Sequence, residues 1–182
     1  MQAVQEAPAS KHPMRRVRLE KVTVHIGVGQ SGEALEKART ILSDLTGQKP
    51  SSQRARRTVK DFGIRKGEPI ACKVTMRRDK AMQFAKRALE AVGNRLSESN
   101  FDDYGNFAFG VKEHIEMPGT KYVPELGIVG FDVIATMERP GFRVKRRRIR
   151  RSNVGKKHLV TKDEAIHFVR TSFGTDILGG TR

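Results

Sequence analysis

Six of the seven residues from Lys145 to Arg151 are cations: Lys145, Arg146, Arg147, Arg148, Arg150 and Arg151. Guanidinium groups this crowded repel one another unless a dense anion neutralises them. Nucleic acid is such an anion, because each phosphate it engages releases condensed counterions. The wider segment Arg139–Lys157 holds ten basic and no acidic residues, and Arg54–Arg78 holds nine basic against two acidic. These two segments account for the whole net charge of +16, while Glu98–Glu138 holds eight acidic residues against Lys112 and Lys121. Charge segregated in this way marks particular anion-binding surfaces rather than a uniform polycation. The Arg run lacks the interleaved Trp and Leu of an interfacial helix, so no membrane partner is expected.

Other chemistries find little support. The five histidines (His12, His25, His114, His158, His167) have no HxxxH or HxH spacing and no Cys partner, which speaks against a metal site. Cys72 is the single cysteine, so an internal disulfide and CxxC chemistry are excluded. Gly27-Val28-Gly29 lacks both a third glycine and a Walker lysine, and reads as a strand end rather than a cofactor loop. Asp102 and Asp103 lie among turn formers with no nucleophile or base beside them, which suits a turn better than a catalytic pair. No cofactor is expected. Two residues keep two readings each: His25 as an RNA contact or a plain surface histidine, and Phe62 as an exposed stacking ring or a core anchor.

The elements that must carry these groups follow from periodicity. At 182 residues and 37% apolar composition the chain fits one domain with one core. Residues 1–13, with two Pro and no periodicity, read as a flexible arm before a single domain over 14–182. No stretch has the length of a membrane span or the pattern of a secretory signal, so a cytoplasmic protein is expected. VTVHIGV (Val22–Val28) alternates as a half-buried strand with Thr23, His25 and Gly27 outward. IACKVTMR (Ile70–Arg77) does the same, turning Lys73, Thr75 and Arg77 outward. Phe107–Val111 and Phe131–Met137 are further strands. Leu35, Ala38, Ile41 or Leu42, and Leu45 predict a helix over Ser31–Gly47. Met82, Ala85, Leu89, Val92 and Leu96 predict a second from an Asp79 cap to about Leu96. Thr161 to Glu164 fits a capping box opening a last helix that ends at Gly174. Gly- and Pro-punctuated mobile loops are expected near 54–69 and 139–157. The fold class is therefore α+β: an antiparallel sheet with helices on one face and the other face free.

LEKVTVHIGVGQSGE (Leu19–Glu33), LTGQKPSSQRARRTVKDFGIRKGEPIACKVTMR (Leu45–Arg77) and GNFAFGVKEH (Gly105–His114) together resemble the large-subunit ribosomal protein L-five family. The resemblance runs from about Met14 to Leu178. RPGFRVKRRRIR (Arg139–Arg150) and GKKHLVTKDEAI (Gly155–Ile166) are similar to its archaeal and eukaryotic branch, and an archaeal source is expected.

The resemblance implies an α+β fold whose bare sheet face grips 5S rRNA and helps seat the 5S particle in the central protuberance beside a neighbouring 5S-binding protein. It also implies a loop reaching peptidyl-site tRNA, with large-subunit rRNA and a small-subunit head protein as further partners of a ribosome-bound chain. With the outward faces and basic segments, it gives as RNA-binding candidates His25, Gln48, Ser51, Ser52, Gln53, Arg54, Lys73, Thr75, Arg77, Arg143, Arg146, Arg147 and Arg148. The tRNA-contacting candidates are Arg56, Arg57, Lys60, Phe62, Arg65 and Lys66. His25, Ser51 and Gln53 depart from the pattern usual in bacterial members; Lys73 and Thr75 lie in the better matched KVT. A nucleic-acid-binding regulator or an RNA-processing enzyme is the alternative, but no helix-turn-helix, zinc pattern or convergent acid-base set supports either.

Overall fold

A computed structural model describes residues 12–179; most of the arm read over residues 1–13 lies outside them. Strands β1 (Arg18–Gly27), β2 (Ser51–Arg54), β3 (Pro69–Arg77), β5 (Phe107–Val111) and β6 (Phe131–Glu138) form one sheet in the order β2-β3-β1-β6-β5. Every pairing in it is antiparallel. Helices α1 (Glu33–Thr46) and α2 (Arg78–Ala91) pack on β1 and β3, and α2 also reaches β6. The short strands β4 (Arg95–Ser97) and β7 (Asp176–Leu178) pair in parallel beside α4 (Lys162–Phe173). The fold is α+β, as expected.

Alternation explains the core. Val22, Val24 and Ile26 of β1, Cys72, Val74 and Met76 of β3, and Val133, Ala135 and Met137 of β6 turn toward the helices and are buried. The predicted α1 stripe is buried residue for residue, and Gly47 ends the helix at a φ of 61°, its N–H donating to the Ser43 carbonyl. Thr161 and Glu164 form the expected capping box of α4, which ends on left-handed Gly174.

The second helix needs two corrections. It begins at Arg78 with Arg77 as its cap, so Asp79 lies in the first turn, where a carboxylate still suits the helix dipole. It ends at Ala91, because Gly93 and Asn94 take positive φ values of 71° and 54° that helix cannot continue through. Leu96 is therefore buried from β4 rather than from the helix. The buried stripe is Ala81, Phe84, Ala85, Ala88 and Leu89, with Met82 only half-buried.

Candidate nucleic-acid interface

The strand registers assemble the outward residues into rows. Ser51 of β2 pairs Lys73 of β3, Lys73 pairs His25 of β1, His25 pairs Asp132 of β6, and Asp132 pairs Gly110 of β5. The next row toward the start of β1 is Thr75, Thr23, Ile134 and Ala108, and beyond it Arg77, Lys21 and Thr136. Side chains in such rows stand about 5 Å apart, close to the phosphate spacing of a folded RNA strand. Ser51, Arg77, Asp132, Ile134, Ala108 and Gly110 are exposed, and Lys73, Thr75, Thr23, His25 and Lys21 are half-exposed.

The row residues differ in what already holds them. His25 Nδ1 lies 3.8 Å from Asp132 Oδ2, and Gly27, Gly110 and Gly130 leave a cleft bordered by His25, Lys112 and Asp132. Gln53 Nε2 donates to the Ser52 carbonyl at 3.1 Å and is also within reach of Ser51 Oγ. Ser52 pairs Cys72, so it belongs to the helix-side face and not to the row of Ser51. Gln48 is half-buried in the link between α1 and β2, its N–H 3.4 Å from Thr46 Oγ1, while Arg54 is exposed at the end of β2. Burial pushes the Cys72 thiol up, which keeps it a protonated member of the core.

The connection from β2 to β3 is a bonded projection. Ala55 and Gly67 close its base, with Ala55 N–H donating to the Glu68 carbonyl at 2.8 Å and Gly67 N–H to the Ala55 carbonyl at 2.9 Å. Val59 and Ile64 bridge across it, and Lys66 N–H donates to Thr58 Oγ1 at 3.1 Å. Glu68 ties it to the body by accepting from Ser31 Oγ at 2.6 Å and from Arg65 N–H at 3.0 Å. Those two bonds hold the Glu68 carboxyl below its ordinary range. Phe62 stands at the tip, 78% exposed, so it is not a core anchor. Arg56, Arg57, Lys60, Arg65 and Lys66 are exposed around it and make no ion pair with the described residues.

The second basic segment is held differently. It turns at Pro140-Gly141, enters helix α3 (Arg143–Arg146), and runs on to a 3-10 turn at Lys156–His158. Arg146 pairs with both Glu20 and Glu138. Arg147 Nε donates to the Arg150 carbonyl at 2.7 Å, and Lys145 Nζ lies 4.6 Å from the centre of the Phe142 ring. Arg143, Arg148, Arg150 and Arg151 are exposed and pair with no described side chain. The candidates therefore fall in three places: the outward rows, the projection, and the seated Arg segment.

Sequence reading turned Thr23 outward but left it, with Lys21, Asp132, Glu20 and Glu138, off the candidates for this surface. The signal for the first three was present, since alternation extended by two residues places Lys21 with Thr23, and β6 alternation turns Asp132 outward. Glu20 and Glu138 carried no local signal: Glu20 meets Arg146 from 126 residues away, Glu138 meets Arg18 from 120, and Arg146 reaches Glu138 only through the turn at Pro140-Gly141. Asp102 makes the expected turn, accepting from the Tyr104 and Asn106 N–H groups at 3.0 and 2.7 Å.

Comparison with known proteins finds one family along most of the chain. The family model for ribosomal protein L5 matches residues 12–65, and the model for the C-terminus of the same ribosomal family matches residues 69–168. The chain is 57% identical over 166 residues to a protein of Pyrobaculum aerophilum named large ribosomal subunit protein uL5, covering 91% of this chain and 93% of the relative. It is 52% identical over 170 residues to the protein of the same name from Sulfurisphaera tokodaii, covering 93% and 96%. For the same-named protein of Methanococcus maripaludis the figures are 47% over 171 residues, covering 92% and 94%.

Proposed function

Because this chain belongs to the ribosomal protein L5 family, a family of structural constituents of the large ribosomal subunit, we propose that it binds 5S rRNA on the outward rows of its sheet. In the same reading it helps seat the 5S particle in the central protuberance beside a neighbouring 5S-binding protein. Its projection over Arg56–Lys66 then reaches peptidyl-site tRNA, and a small-subunit head protein meets it across the subunit interface. As a large-subunit protein its partner is rRNA, and its work is structural rather than enzymatic.

One observation carries the proposal: Ser51, Lys73 and His25 lie in register across three adjacent strands, with Thr75, Thr23, Arg77 and Lys21 in the rows beside them. Hydroxyls, an imidazole and ammonium groups on a rigid half-exposed face suit the phosphates, 2′-hydroxyls and base edges of folded RNA. The test is a titration of 5S rRNA with the purified chain at several salt concentrations. The proposal expects an affinity that falls steeply with salt, because Lys21, Lys73 and Arg77 of the rows and the seated Arg segment supply phosphate contacts. A flat dependence, or equal affinity for an unrelated structured RNA, would overturn it.

A further inference from the structure

Glu138 stands at the end of β6, opposite Arg18, at a position that alternation turns outward with Asp132, Ile134 and Thr136. Its side chain is nevertheless only 4% exposed. A carboxylate is not buried at the edge of an anion-binding face without compensation. Here the compensation is two arginines: Arg18 Nη2 at 2.5 Å from Oε1, and Arg146 Nη2 at 2.6 Å from Oε2. Arg146 spans further to Glu20, whose side chain is 10% exposed. Glu20 reaches that position because a β-bulge between Leu19 and Lys21 inserts it into β1, and a bulge re-aims the residue it inserts.

Two other anchors hold the same segment. Buried Arg139 pairs with Glu164, the capping-box residue of α4, and donates from Nη1 to the Lys157 carbonyl at 3.4 Å. Phe142 is buried against His158, ring centres 5.9 Å apart, and His158 Nε2 is 2.8 Å from the Pro140 carbonyl oxygen. The run of cations is thus fastened onto the end of the sheet just past the Lys21–Arg77 row.

We propose that Glu138, aided by Glu20, is a positioning residue that seats helix α3 so that Arg148, Arg150 and Arg151 form a fixed phosphate-binding extension of the outward face. Arg146 then works as the anchor, not as a phosphate contact. Preorganised cations lose less freedom on binding than cations on a loose tail, so the buried acid strengthens attachment to a polyanion. This rests on the RNA-binding reading, and it has a consequence of unusual sign. Removing a negative charge from an anion-binding surface ordinarily raises affinity; removing this one should lower it.

The experiment is a double-mutant cycle on Glu138→Gln and Arg146→Gln, with a 5S rRNA transcript as probe and the near-ultraviolet circular dichroism of each variant as a check on packing. Each single variant should bind about three- to tenfold more weakly, and the double variant no more weakly than either one. Glu138→Gln binding as tightly as the parent or tighter would overturn the proposal. So would additive losses, since they would make Arg146 an independent phosphate contact. Glu20→Gln reads the same latch from the less buried side, and it decides the matter if Glu138→Gln does not fold: a weakened complex supports the latch and an unchanged or tighter one overturns it. Failure of the parent chain to bind 5S rRNA is a separate result, and strikes the functional reading rather than the latch.

Discussion

The two basic segments look alike in composition and are built in opposite ways. In the projection between β2 and β3, the cations surround an exposed Phe62 and their side chains form no salt bridge with the described residues; order comes from backbone bonds, Thr58 and the Glu68 clasp. In the segment from Arg139 to His158, arginines themselves are the fasteners, through Glu164, Glu138 and Glu20. A cation therefore serves one of two ends. Paired with a buried carboxylate it fixes the chain, and left unpaired it is available to a phosphate. Counting charge along a sequence does not distinguish the two.

The largest effect that would break this contrast is on stability. Arg139→Ala leaves the Arg segment without its buried fastener and should cost about 2–4 kcal/mol in urea denaturation. Arg65→Ala with Lys66→Ala in the projection should cost less than about 0.5 kcal/mol, as exposed substitutions do. Similar losses for the two would erase the distinction.

Next in size is the RNA complex. Replacing Arg148, Arg150 and Arg151 together by Ala should weaken 5S rRNA binding by about 2–3 kcal/mol and lower the salt slope by about 2 to 3, one contact per cation. An unchanged slope would mean that these side chains face away from RNA.

Lys73→Ala with Thr75→Val sharpens the contrast from the rigid sheet. Both side chains lie on outward strand positions, so affinity should fall about tenfold, roughly 1.4 kcal/mol, with the unfolding transition kept. A collapsed transition would instead mean that these residues support the core.

Much of this architecture was readable in advance, for a physical reason. β1, β3, β5 and β6 each bury one face, so alternation is written into them, and α1 carries its stripe and its Gly47 stop in adjacent residues. The edge strand Ser51–Arg54 is polar on both faces and gives no alternation to find. β4 and β7, three residues each, are too short for any period. The outward candidates Lys73, Thr75 and Arg77 came from the same alternation that located the core. Ser51 and Ser52 fall on opposite faces of β2, and a run of polar residues does not reveal which of its members share a face. The fastening of Arg146 was invisible, since Glu20 is 126 residues away and meets it through a bulge.

The smallest effect concerns the projection's clasp. The Glu68 carboxyl is held below its ordinary value of 4.5 by bonds from Ser31 and Arg65, so the folded form favours its ionised state. The clasp is complete above that ordinary value and is lost as pH falls through the lowered one. The Arg65 amide resonance should shift in that acidic window, and Glu68→Gln should abolish the shift. An Arg65 amide that titrates equally in the variant would show that the clasp is not what holds the loop.

In the proposed division of labour, the sheet face and the seated Arg segment bind 5S rRNA while the projection serves another partner. Replacing residues 58–66 by a short Gly-Ser link tests it most directly, with 5S affinity measured on the free chain and peptidyl-site tRNA dissociation measured on reconstituted ribosomes. 5S affinity should stay within about 1 kcal/mol of the parent, since shortening a loop with paired ends costs little, while tRNA should dissociate faster. Lost 5S affinity with unchanged tRNA dissociation would contradict it and move the 5S site into the projection.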